Sequence, residues 1–124
     1  MKHIPNILGG LLGLAFIASA IAYFSGASGP PPIPGSPTEH FMAAFIPTGY
    51  MNFVKVCEIL GGLLCMIPLT RNIGLLFLGP IVLNIAAFHL FVSKSDLPVA
   101  AVFCLISAYL LWAGRAKFTA LLNR

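Results

Sequence analysis

The chain has 124 residues, 59% of them hydrophobic and only 8% charged, with seven cations against three anions for a net charge of +4. An ordinary soluble domain carries about 25% charged residues and about half apolar ones, so these values exclude a water-soluble globule and intrinsic disorder alike. Scattered among apolar runs, the cations form no basic face for nucleic acid. With a typical domain near roughly 150 residues, positions 1–124 are read as one transmembrane domain.

A helix that crosses lipid needs about 20 mostly apolar residues, because each adds about 1.5 Å across a hydrocarbon layer of about 30 Å. In chain order the first such stretch is 5–25. Lys2 ahead of it and Ser25-Gly26-Ala27 behind it look like a secretory leader, but the apolar core of a leader is only about 7–15 residues long, so a retained span is expected. A connection over 26–49 follows. Pro30, Pro31, Pro32 and Pro34 favour a stiff extended path, and Ser36-Pro37-Thr38-Glu39 reads as a helix start, with a cap, a proline in the first turn and an acid three residues after the cap. The pattern predicts a short interfacial helix over 37–46, closed by Pro47, with Phe41, Met42, Phe45 and Ile46 available to face lipid.

The second span, 50–69, carries Lys55 and Glu58. Each buried ion costs about 2.5–3.5 kcal/mol on insertion scales, while Leu, Ile, Val and Phe return about 0.3–0.6 each. Nine such residues between Tyr50 and Leu69 barely offset one ion and part of the other, so this helix needs partners inside a bundle. Gly61-Gly62, and Gly9 with Gly13 on the first span, allow helices to approach closely there. The third span, 73–92, is interrupted only by Asn84 and His89, and the fourth, 97–114, ends near Trp112. The fold class is therefore all-α, an integral membrane four-helix bundle with one short surface helix between its first two spans.

Four spans put both termini on one side, and loop cations decide which. Lys2, Arg71, Arg115, Lys117 and Arg124 share one face against Lys94 on the other, which predicts cytoplasmic termini and outward-facing connections at 26–49 and 93–96. Lys55 and Glu58 then lie roughly 8–12 Å below the outer end of their helix, Asn84 about 12 Å down its own, and His89, Tyr50 and His40 close to the outer surface. The inner half of the spans reads as Leu, Ile, Gly and Ala.

Lys55 and Glu58, three residues apart, share one helical face. Lys55 either pairs with Glu58 or extends towards head groups, whereas acids inside membranes usually mark a ligand or proton site. Asn84 reads as an interhelical hydrogen-bonding residue. His89 reads as an interfacial polar residue, a proton carrier or a ligand, and a bis-histidine haem between His40 and His89 is conceivable. Five residues separate Asn84 from His89, so they share a narrow face only if Pro80 distorts the helix. Cys57, Cys65 and Cys104 form no C-x-x-C pair, and no metal-ligand spacing, phosphate loop or nucleophile elbow occurs.

Gly49-Tyr50, Lys55-Val56-Cys57-Glu58-Ile59-Leu60-Gly61-Gly62 and Pro80-Ile81-Val82-Leu83-Asn84-Ile85 with Phe88-His89, in this order and spacing, resemble the DoxX or DoxX-like family of small four-helix bacterial membrane proteins. The resemblance covers 41–91 by motif. It implies a bacterial inner-membrane location and a subunit of a membrane redox complex. Glu58, Lys55, Asn84 and His89 would line a site for a quinone head group, with another subunit supplying electrons. Tyr50 and His40 complete the candidate ligand-binding set by their position. Two rival readings are a non-enzymatic scaffold or assembly factor, which engages another membrane protein, and a small-solute carrier, for which no inverted repeat is visible.

Overall fold

The structure, a computed structural model, describes residues 2–27 and 29–122, so Arg124, one of the cations used for orientation, lies outside the described residues. It is helical, with no strand among the described residues. Four long helices, α1 (Ile4–Phe24), α3 (Tyr50–Met66), α4 (Arg71–Ala87) and α5 (Leu97–Ala113), pack with a short α2 (Pro37–Phe45) and a one-turn α6 (Arg115–Phe118). Helix α1 packs on α3, α3 on α4, α4 on α5, and α5 closes back on α1, leaving α1 and α4 on one diagonal and α3 and α5 on the other. One end, the terminal end, gathers the start of α1, the α3–α4 turn and α6. The other, the loop end, carries α2 and the connection before α5.

Local chemistry sets these boundaries. Gly26, at φ 80°, stops α1, and the amides of Gly26 and Ala27 turn back to the carbonyls of Tyr23 and Ala22 as in a Schellman cap. Ser36 caps α2 by accepting from the Glu39 amide at 3.2 Å, and Glu39 Oε1 accepts from the Gly35 amide at 2.9 Å, one residue before the cap. Helix α3 ends at Met66, short of the expected 69, because Pro68 follows. Helix α4 begins at Arg71, two residues early, and widens into a π-turn over Phe88–Ser93. Among the described residues, two helices are long and apolar enough to cross a membrane, Ile4–Phe24 and the continuous Arg71–Ser93. The number rises to four if each bent pair, Pro37–Phe45 with Tyr50–Met66 and Leu97–Ala113 with Arg115–Leu121, is one span.

The core is thin. Leu12, Phe16, Cys65, Leu75, Leu78, Val82 and Leu110 are buried together, with Phe103 stacked on Phe16 at 5.4 Å between ring centres. Meanwhile Ile7, Leu14 and Ile21 on α1, Leu83 on α4 and Leu105 on α5 are exposed. Exposed apolar area on that scale suits an acyl-chain environment rather than water. Association in that setting rests on close packing, which small residues supply. A Cβ on Gly13 would fall onto the Gly62 carbonyl, and one on Gly61 would lie 2.8 Å from the Leu78 side chain.

Before α5 the backbone is left-handed at two residues that carry side chains, Lys94 (φ 53°) and Asp96 (φ 56°). Substitution Lys94→Gly removes that steric cost and should stabilise the fold by roughly 0.5–1 kcal/mol in detergent thermal unfolding. A lower melting temperature would contradict this backbone geometry.

Candidate functional site

Pro68 and the turn after it hold α3 and α4 together at the terminal end, where Gly74 packs on Cys65 and on the Gly61 carbonyl. Beyond that contact, towards the loop end, a cavity of about 700 Å³ lies between the two helices, lined also by α1, α2 and Phe103 of α5. Phe53 on α3 and Phe77, Pro80 and Asn84 on α4 are lining residues that are also exposed, so the cavity opens sideways between α3 and α4.

Glu58 lies on its wall with only 4% of its side chain exposed. Lys55 Nζ stands 3.4 Å from both carboxylate oxygens, donates to Ser19 Oγ on α1 at 3.1 Å, and sits 5.8 Å from the centre of the Tyr23 ring. The lysine thus turns into the bundle and ties α3 to α1. Among the described residues, Lys55 is the one hydrogen-bond donor to Glu58. A buried ion pair of this kind sets a local dipole beside a largely apolar wall, where a polar group on a ligand could meet it.

Tyr50, Lys55, Glu58, Asn84 and His89 all line this cavity, whereas His40 is exposed on α2 and does not. Asn84 departs from the interhelical expectation. Its Nδ2 donates to the Pro80 carbonyl of its own helix at 2.9 Å, which leaves the side-chain oxygen as an acceptor. His89 Nδ1 lies 3.2 Å from Ser93 Oγ and 2.9 Å from the Ser95 carbonyl, inside the π-turn. Asn84 reaches the cavity from the α-helical part of α4 and His89 from the start of the π-turn.

Helix α2 also differs from expectation. Phe41, Met42 and Phe45 do not face outward; they roof the cavity, with Phe41 4.8 Å from Phe88 and Phe45 4.6 Å from Tyr50 between ring centres. Aromatic partners on α3 and the π-turn outcompete a free surface. The terminal half, expected to be Leu, Ile, Gly and Ala, is not purely apolar either. Arg71, assigned to a loop by charge counting, is buried, donating from Nε to the Cys65 carbonyl at 3.3 Å and from Nη2 to Asn6 Oδ1 at 3.0 Å. Ser19 carried no signal in the sequence, being a small residue in an apolar run. Phe16 did, through its four-residue spacing from Leu12 and Ala20.

Fold and site together define a class: among the described residues the chain is all-helical, with two to four helices long and apolar enough to cross a membrane, around a largely apolar cavity that holds one buried ion pair. No family model, curated protein or solved structure matches the chain.

Proposed function

We propose that the chain is a four-span protein of the bacterial inner membrane, with cytoplasmic termini, that binds a quinone as a subunit of a membrane redox complex. The observation that carries this reading is the sideways opening of the Lys55–Glu58 cavity between two apolar helices. A lipid-soluble molecule enters such a site from the acyl chains without crossing water.

The residues present suit a quinone. A cavity of about 700 Å³ lies within the usual range for small-molecule sites, roughly 300–1,000 Å³. Phe41, Phe45 and Phe103 offer ring faces for a flat head group, and the opening beside Phe53 and Phe77 leaves room for an isoprenoid tail. Lys55 donates to a quinone carbonyl; Glu58 and Asn84 Oδ1 accept from a quinol hydroxyl. A bound quinone supplies two-electron chemistry, and a partner subunit supplies the electrons. The likeness to the DoxX family points the same way.

Native mass spectrometry of the detergent-purified chain with a short-tailed benzoquinol, held reduced, tests this. Glu58→Gln keeps the shape and removes the charge, and should weaken the adduct by roughly tenfold or more, the worth of one hydrogen bond to a charged group. Undiminished binding by the Glu58→Gln protein would overturn the proposal. A scaffold role is favoured by Gly10 and Gly79, which have open space where a side chain would stand and so offer flat docking faces to another helix. On that reading the same spectra show a co-purifying protein instead of a quinone.

A further inference from the structure

A second, smaller cavity of about 210 Å³ lies at the terminal end. Pro5 of α1, Pro68 of the α3–α4 turn, Arg71 and Asn72 at the start of α4, and Gly114 and Lys117 around the α5–α6 elbow line it. The elbow bends by 71°, which carries Lys117 round to the cavity that Arg71 also lines. Gly114 permits the close fit, since a Cβ there would lie 2.6 Å from Asn72 Oδ1.

Arg71 is the informative residue. Only 9% of it is exposed, yet its hydrogen bonds go to two neutral oxygens, the Cys65 carbonyl and Asn6 Oδ1. The one ion pair among the described residues is Lys55–Glu58, at the other end. A guanidinium has five N–H donors, so three remain; Nη1, which makes no hydrogen bond among the described residues, is not sealed from open space, and a mostly buried cation without a countercharge is costly. Thr70 does not cap α4, because its hydroxyl donates to the Leu64 carbonyl at 2.8 Å, and the first amides of α4 stay uncapped beside this cation. Two cations, an amide side chain and a bare helix start therefore surround one small space.

The geometry points to an anion site here that takes a phosphate group. Arg71 is its fixed donor and Lys117 its mobile one. An exposed Trp112, with Arg115 stacked 4.3 Å from its ring centre, marks this end as the level where head groups meet water. The phosphate therefore comes from an anionic lipid such as phosphatidylglycerol or from inorganic phosphate in solution.

Arg71 also holds α1 to the α3–α4 turn, so its replacement confounds folding with binding; Lys117 is exposed and suits the test. The full chain and Lys117→Gln are compared by native mass spectrometry after incubation with phosphatidylglycerol, with phosphatidylcholine and with inorganic phosphate. Wild type should retain phosphatidylglycerol over phosphatidylcholine, and Lys117→Gln should retain it roughly fivefold less, as for the loss of one basic contact at a head group. Displacement of the lipid by millimolar inorganic phosphate supports the site and assigns it to the phosphate group alone. Resistance to displacement supports it and assigns it to the lipid. Equal retention of the two lipids, or wild-type retention by Lys117→Gln, overturns the proposal.

Discussion

Replacing Gly13 with valine should separate α1 from α3 and cost at least about 3 kcal/mol, the upper end of overpacking penalties, because the obstacle is backbone. The new Cβ would collide with the Gly62 carbonyl and the Met66 side chain, and a carbonyl inside a helix cannot move aside as a side-chain tip can. Substitution Gly10→Ala, three residues away on the same helix, meets nothing within 4 Å and should be neutral or slightly stabilising. Thermal unfolding of both proteins in the same detergent, followed by circular dichroism, measures the contrast. Equal melting temperatures would show that α1 and α3 do not meet at these glycines.

The second large effect concerns the ion pair. Truncation Glu58→Ala leaves Lys55 with Ser19 as its only hydrogen-bond partner among the described residues, and breaking a buried pair from one side costs about 3–5 kcal/mol. The lower end applies, since 16% of the Lys55 side chain is exposed and water reaches it. Removing both charges, as Lys55→Met with Glu58→Leu, should restore much of that loss, because neither ion is then stranded. The double variant thereby separates structure from binding: a folded protein without a quinone adduct supports the binding role. One that folds and still holds quinone removes it.

Much of this fold was legible in the sequence because apolar segments long enough to cross a bilayer have few ways to satisfy their backbone. The apolar runs gave the long helices. Ser36, Pro37 and Glu39 announced α2, and Gly13 and Gly61-Gly62 marked the close crossings. Burial of Glu58 followed from the imbalance between two ions and nine aliphatic or phenyl side chains. What escaped depended on partners distant in the chain. Arg71 beside a turn looks like any loop cation until Asn6, 65 residues earlier, is placed beside it. Ser19 becomes a ligand of Lys55 only across a helix pair. Helix α2 carried a face as suited to lipid as to a cavity, and Phe88 and Tyr50 decided between them. Asn84 turned to its own helix, where the Pro80 carbonyl lay within reach.

The four long helices are not equally tall. Helix α1 has 21 residues and the α4 segment through Ser93 has 23, whereas α3 and α5 have 17 each. At about 1.5 Å per residue the first pair stands near 32–35 Å and the second near 26 Å. Tall helices occupy one diagonal and low ones the other, so the greasy belt around the molecule rises and falls twice per circuit, like a saddle. In the proposed four-span arrangement a bilayer of uniform thickness cannot match that outline. Lipids would then pinch at two opposite corners and stretch at the other two, pressing the protein's shape into the membrane around it.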